Sequence, residues 1–280
     1  MHELYPNDIA MLDRGDVERT VGARAQTVYL GNGVVLARAL TRYKLFLHSA
    51  DRGFGCHVML DGFWEIWLTQ FLARILKPGM HVIDVGANYG YHTMLLADVV
   101  SDTGRVLAVE PNPVAAGLLR ESVLLNGFAG HVQVIEAALG AVAEGSAELF
   151  VPAGEPKNAY VGGTLDGRSG MRHSVTLTSI DRLLLDLGHV DLIKIDAEGG
   201  EEDIVVGMQN LLRTRPPALV LEFNAGRYAD PAGFLQSLLN VYGTVASIDF
   251  DGVAKTVSAE TVLTVQVGKD WLLFFAASRV

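Results

Sequence analysis

The 280-residue chain has one cysteine, Cys56, which excludes an internal disulfide and any multi-cysteine metal cluster. It has no dense lysine or arginine run: 22 basic side chains stand against 32 acidic ones, for a net charge of −10. A general nucleic-acid binder needs a basic footprint, so DNA or RNA is not the expected partner. No apolar run approaches the roughly 20 residues needed to span a bilayer. The opening Met1-His2-Glu3-Leu4-Tyr5-Pro6 lacks the basic-then-apolar order of a signal peptide. The expectation is a cytoplasmic protein with no membrane partner, and the sparse cysteine agrees with a reducing compartment. Internal repeats and low-complexity tracts are also missing. What the chain does have is apolar content: 50% of residues are hydrophobic and 19% charged, sufficient for a large core.

Residues 1–62 read as a β-rich N-terminal cap. Val28 to Leu40 alternates around Gly31-Asn32-Gly33, a hairpin signal. Lys44 to His48 and Cys56 to Leu60 are read as two further short strands. Phe46, Phe54 and Trp64 offer an apolar face for a homodimer. Phe63 to Leu76 has helical periodicity, with Trp64, Trp67, Leu68, Phe71 and Ile75 on one face, and Lys77-Pro78-Gly79 ends it.

Over residues 63–280 strand and helix alternate. The strands expected are His81 to Val85, Val106 to Glu110, Val132 to Ala137, Leu192 to Asp196, Ala218 to Phe223, Val245 to Asp249 and Trp271 to Ala276. Helices fall between them, one of them running from about Glu201 to Arg213. This predicts an α/β fold: a doubly wound, mostly parallel seven-stranded sheet covered on both faces. Residues 141–178 break the rhythm with scattered glycines and polar residues, strand-like only at their ends. A long connection of this kind often binds ligands, so the segment is a candidate acceptor loop.

Ligands of open parallel sheets sit beyond the carboxyl ends of the strands. The residues at those ends are Asp84, Glu110, Glu136, Asp196 and Glu222, all acidic. The first strand runs into the turn Gly86-Ala87-Asn88-Tyr89-Gly90. A carboxylate two positions before the first glycine repels a diphosphate and suits a cationic ligand that donates hydrogen bonds. Glu110, 24 positions after Gly86, suits a ribose diol. A nicotinamide-dependent oxidoreductase accounts for Glu110 but not for Asp84. A non-catalytic protein that binds a nucleoside-like ligand is the other competing reading.

Three blocks carry a family resemblance: Val82-Ile83-Asp84-Val85-Gly86-Ala87-Asn88-Tyr89-Gly90, Val109-Glu110-Pro111-Asn112-Pro113, and Leu192-Ile193-Lys194-Ile195-Asp196-Ala197-Glu198-Gly199-Gly200-Glu201. The chain resembles the Rossmann-like methyltransferases that use S-adenosylmethionine (SAM), and within them the FkbM-type group. The third block is the most group-specific. The resemblance covers roughly residues 63–223 and implies SAM as cofactor, a small-molecule acceptor and O-methylation. It implies that Gly86 and Gly90 let the methionine part lie against the backbone, that Asp84 and Asn88 organise that pocket, and that Glu110 takes the ribose hydroxyls. Ala87, Thr93, Pro111 and Asn112 complete the cofactor side, Asn112 more as a helix cap than as a contact. Glu136, Ala137 and Ala138 fall where adenine is held, with an exposed strand end as the alternative for Glu136. Asp196 is the expected acceptor-orienting residue or base, with Glu198, Glu222 and His92 beside it. Lys194, inside an apolar strand, needs a partner among Asp196, Glu198 and Glu222. Asp196, Glu198 and Glu222 are hard oxygen ligands of the kind Mg²⁺ takes, but a metal-free reading is preferred. Asn158, Tyr160, Arg168, Arg172 and His173 are the insertion's candidates for touching the acceptor.

Overall fold

The computed structural model describes residues 3–162, 169–265 and 267–276, apart from the side chains of residues 186 and 187; Arg168 lies outside them. The elements in chain order are α1 (Pro6–Met11), α2 (Arg14–Gly22), β1 (Thr27–Gly31), β2 (Val34–Ala39), β3 (Tyr43–His48), α3 (Gly55–Asp61) and α4 (Ile66–Ile75). Then come β4 (His81–Val85), α5 (Tyr91–Val100), β5 (Arg105–Val109), α6 (Pro113–Leu125), β6 (Val132–Ile135), β7 (Ala138–Leu139), β8 (Glu144–Pro152), β9 (Tyr160–Val161) and β10 (Gly170–Thr178). The last part holds α7 (Ile180–Leu187), β11 (Leu192–Ile195), α8 (Glu201–Val206), α9 (Gln209–Thr214), β12 (Ala218–Phe223), α10 (Pro231–Tyr242), β13 (Ala246–Ile248), β14 (Ala254–Thr256), α11 (Ala259–Thr264) and β15 (Trp271–Phe275).

The main sheet has the order β14-β13-β15-β12-β11-β4-β5-β6. Strands β12, β11, β4, β5 and β6 run parallel, and β15 enters antiparallel to both β12 and β13. The chain builds outward from β4 through β5 to β6, then returns to lay β11 on the other side of β4. The order therefore reverses between β4 and β11, where such sheets bind ligands. The α/β, mostly parallel reading holds, but the sheet has eight strands rather than seven. The extra one, β14, is a three-residue edge strand hairpinned to β13, too short to leave a periodic signal.

Alternation along each strand assigns its residues to one of two cores. Val82, Val106, Ala108, Leu192 and Val220 join one buried cluster with α4, α5, α6 and the N-terminal residues Leu4, Ile9, Val17, Val35, Leu45 and Val58. Ile83, Val85, Leu107, Ile193, Ile195, Leu219 and Leu221 join a second cluster with Ile180, Ile204, Leu212, Leu235 and Val262 of the opposite helices. Parity then places Asp84, Lys194 and Glu222 on the first face. No described helix is long and apolar enough to cross a membrane.

Several expectations need correction. Residues 3–62 hold three helices beside the three-stranded β1–β3 sheet, so the N-terminal region is mixed rather than β-rich. Cys56 to Leu60 lies in α3, not a strand; a short apolar run cannot separate the two by periodicity. Phe54 packs against Trp64 with ring centroids 5.5 Å apart and also stacks on Tyr89. The helix expected over 201–213 is two, α8 and α9. The break falls at Gly207, where an added Cβ would lie 2.0 Å from the carbonyl oxygen of Gly140. The third strand ends at Ile135, not Ala137, because the chain leaves the main sheet for a second one, β7-β10-β8-β9, made mostly of the insertion.

Candidate functional site

A cleft of about 500 Å³ runs along the carboxyl edge of the main sheet, a size suited to a small-molecule ligand. Its walls come from the β4–α5 turn, the ends of β5, β11, β12 and β13, the start of β15, the α4 entrance and part of the insertion.

The turn after β4 is shaped by a close backbone approach. Gly86 has φ +71°, and a Cβ there would lie 1.8 Å from the carbonyl oxygen of Asp196. Only glycine lets the ends of β4 and β11 meet this closely. Gly90, with φ +94°, serves packing instead: its missing Cβ leaves room for Leu119 of α6, and it does not line the cleft. Asn88 has φ +50° and its N–H donates to Glu110 Oε2 at 2.8 Å. The Asn112 N–H donates to Glu110 Oε1 at 2.8 Å, while the Asn112 side chain caps α6 by accepting from Val114. Burial raises Glu110 to about 7, with the two N–H groups opposing.

Asp84 is fully buried. Its Oδ2 accepts from the Thr93 hydroxyl at 2.7 Å, and its Oδ1 has no hydrogen-bond partner. Lys194 is the cross-strand neighbour of Asp84, and its Nζ lies 3.4 Å from Asp84 Oδ1 and 3.7 Å from Asp196 Oδ2. Burial alone would lower Lys194, but Asp84 and Asp196 outweigh it and hold the ammonium above its ordinary value. Its expected partner Asp196 is therefore found, but Asp84 comes first.

Beyond Asp196 the edge turns acidic. Asp196, Glu198 and Glu222 each present an oxygen within 4.8 Å of the others. The cation among them is Arg227, 2.6 Å from Glu222, 2.9 Å from Glu198 and 3.2 Å from Asp270. Burial, then Asp196, raises Glu198 to about 7, and Glu222 is pushed up by burial and the acids around it. Arg227 pairs with two of the three acids, and Asp196 pairs with Lys194 instead. Glu201 is fully buried and pins the preceding turn, accepting from the N–H groups of Ala197 and Gly199 and from the Tyr228 hydroxyl at 2.9 Å. Tyr228→Phe is expected to cost about 1–2 kcal/mol of stability. Urea unfolding reads this, and an unchanged midpoint would contradict the pin.

His92 lines the cleft. It is 8% exposed, its Nε2 has no partner, and burial together with Lys194 holds it well below its ordinary value. All three tryptophans, Trp64, Trp67 and Trp271, line the same cleft.

Of the sequence candidates, Asp84, Gly86, Ala87, Asn88, His92, Glu110, Pro111, Ala137, Ala138, Lys194, Asp196, Glu198 and Glu222 meet in the cleft. Thr93 and Asn112 stand behind it. Glu136 points away, paired with Arg120 at 2.8 Å on the surface. The insertion contributes Leu149, Pro156, Lys157, Ala159 and Val161 rather than Asn158, Tyr160, Arg172 and His173. Asn158 bonds Glu155, Tyr160 packs on Phe150, and Arg172 pairs with Glu148. Glu65, Lys157 and Arg227 were missed. None sits at a strand end, and only the Trp64-Glu65 step at a helix start gave a signal.

Comparison with known proteins follows the same outline. The model of the methyltransferase FkbM domain matches residues 84–246. A protein-L-isoaspartate O-methyltransferase of Aeropyrum pernix is 46% identical over 59 residues, 21% of this chain and 23% of that protein. The chain spans about a quarter of the length of the isoaspartate methyltransferases it matches. The AMB antimetabolite synthetase AmbE of Pseudomonas aeruginosa is 26% identical over 230 residues, 68% of this chain and 11% of that protein. Among solved structures, methyltransferase FkbM of Methylobacillus flagellatus is 14% identical with a TM-score of 0.44, covering 75% of this chain and 53% of that one. The FkbM domain match takes in more than half of the chain, including the turn, Glu110 and the Lys194–Asp196 strand end, and the chain belongs to the FkbM family of SAM-dependent methyltransferases.

Proposed function

We propose that the protein transfers a methyl group from SAM to a hydroxyl of a small molecule, a sugar or a secondary metabolite. The observation that carries this is the buried Asp84 carboxylate, whose Oδ1 lies 3.4 Å from the Lys194 ammonium but accepts no hydrogen bond, beside a turn whose glycine exposes the backbone. A buried carboxylate oxygen that has an ion-pair partner but no hydrogen bond keeps lone pairs free for a donor, and a cationic amino-acid ligand supplies one. The donor set fits that group. Asp84 holds the ammonium, Gly86 to Asn88 lie along the methionine part, and Glu110 takes the ribose. Each Glu110 oxygen accepts one backbone N–H and keeps a lone pair for a hydroxyl. Pro111, Ala137, Ala138 and Leu139 give the apolar slot for the base.

When bound, SAM supplies a methyl already activated by the sulfonium. The chain then has to hold an acceptor oxygen in line and keep water out. Asp196 and His92 flank the cofactor side of the acceptor space, and Trp64, Trp67 and Trp271 give it flat apolar walls. Alternating aromatic faces and carboxylates suit a hydroxylated ring, stacked through its apolar face and bonded through its hydroxyls.

Calorimetry with S-adenosylhomocysteine tests the reading, with NAD as the control. Binding of the first and none of the second is expected; the reverse pattern refutes it. The ribose role has its own test on the ligand side. Removing the 2′-hydroxyl from S-adenosylhomocysteine should weaken binding by at least about tenfold, the worth of one hydrogen bond to a charged group. Equal affinities would remove Glu110 from the ribose.

A further inference from the structure

Eight carboxylates line the cleft: Glu65, Asp84, Glu110, Asp196, Glu198, Glu222, Asp249 and Asp270. Seven have partners. Asp84 and Asp196 meet Lys194, Glu110 holds two backbone N–H groups, Glu198, Glu222 and Asp270 meet Arg227, and Asp249 meets Lys255. Of these eight, Glu65 alone has no hydrogen bond or ion pair through its carboxylate to any described residue.

The backbone makes this more pointed. Glu65 is the N-cap residue of α4, where an acidic side chain can accept from the free N–H groups of the first turn. It makes no such bond, and φ is +41°. A non-glycine residue in the left-handed region costs of order 1–3 kcal/mol and persists only where the surroundings impose it. Asn88 and Glu198 are also left-handed and also line the cleft. Glu65 makes no capping bond in this conformation, and it lines the cleft together with Trp64 and Trp67.

We propose that Glu65 is a catalytic residue, the general base that removes the proton from the acceptor hydroxyl. This rests on the methyl-transfer reading above. The acceptor oxygen forms its bond to the methyl carbon as the carbon–sulfur bond breaks. The bonding pair stays on sulfur, and the hydroxyl proton passes to Glu65 and then to solvent.

The rival bases are less suited. Asp196 is engaged by Lys194, and burial and that same lysine hold His92 well below its ordinary value, which leaves it a weak base. The groups acting on Glu65 are Asp196 and Lys194 at the end of β11, Lys157 of the insertion, Asp270 before β15, and Tyr91 of α5. Burial, then Asp196, raises Glu65 to about 7, matched to proton transfer near neutral pH. His92 Nε2, more than nine-tenths buried and unpartnered, is a second polar atom on the wall that a hydroxylated acceptor would satisfy.

The test uses the full chain and Glu65→Gln. Calorimetry with S-adenosylhomocysteine comes first. Affinity within about twofold of the parent is expected, because Glu65 lies outside the cofactor half. Loss of binding in parent and variant alike would sink the SAM reading, whereas loss in the variant alone would overturn the base role. Carbon-13 NMR of side-chain carboxyls should then show Glu65 titrating near neutral pH beside Glu110 and Glu198 in the parent, with only the Glu65 resonance absent from the variant. An ordinary carboxylate midpoint for Glu65 overturns the proposal. Transfer of labelled methyl from SAM to methyl β-D-glucopyranoside gives the third reading. The parent rate should rise with pH through about 7 and then level. Glu65→Gln should lower it about 10²–10⁴-fold with a flat profile, and Glu65→Asp should restore part of it. A Gln variant within threefold of the parent overturns the assignment. If the glycoside is not an acceptor, the carboxyl titration decides.

Discussion

Lys194→Met is expected to destabilise the protein by about 3–5 kcal/mol, the usual cost of removing one partner from a buried ion pair. The Lys194 side chain is 4% exposed and that of Asp84 1%, so water cannot replace the lost ammonium. The sign with pH follows from the direction of the shift. Lys194 is raised on folding, so its contribution is fully present at neutral pH, below its unfolded value, and fades only under strongly alkaline conditions. The loss should therefore appear undiminished across ordinary buffers. Asp84→Asn in the Lys194→Met background removes both charges and should recover much of the stability. It should not recover S-adenosylhomocysteine binding, because the proposed ammonium ligand is gone. Chemical unfolding and calorimetry read the two effects separately. A single variant within 1 kcal/mol of the parent would show that the pair does not hold the switch point together.

Lys194 also shows what a sequence can reveal about such a site. A lysine flanked by Ile193 and Ile195 in a strand buried on both faces demands a counter-charge, and parity puts Asp84 of the next strand on the same face. The glycine turn and the strand-end acids were legible for the same local reason, each being out of place in an apolar strand. Glu136 misled because the third strand stops at Ile135 and the chain leaves the sheet, turning the next side chain toward Arg120. The break at Gly207 depended on the carbonyl of Gly140, 67 positions earlier, which no helical period encodes. Lys157 reaches the cleft from the insertion, and Arg227 meets the cleft acids Glu198, Glu222 and Asp270 from a loop after β12. Their neighbours in sequence say nothing of the acids and the tryptophan they meet in space. Strand ends were readable from local pattern; side chains delivered by loops were not.

Gly86→Ala should have the other large effect, a loss of about 4 kcal/mol or more together with cofactor binding. Two costs combine there. An alanine at φ +71° is strained by roughly 1–2 kcal/mol, and its Cβ would sit 1.8 Å from a backbone oxygen, that of Asp196. A backbone oxygen cannot rotate away, so the end of β11 has to move. Moving it disturbs the Asp196 N–H to Val85 carbonyl bond at 3.3 Å and the Lys194–Asp196 pair with it. Gly127 provides the control: its φ is +78°, and an added Cβ would meet nothing within 4 Å. Gly127→Ala therefore carries the conformational strain alone, so subtracting its effect from that of Gly86→Ala isolates the contact. Gly90→Ala falls between them, because its clash at 2.3 Å is with the tip of the Leu119 side chain, which can shift. The expected order of destabilisation is Gly86→Ala, then Gly90→Ala, then Gly127→Ala, and S-adenosylhomocysteine affinity should fall steeply only in the first. Equal losses at Gly86 and Gly127 would mean that the approach of β4 to β11 is not what the turn glycine protects.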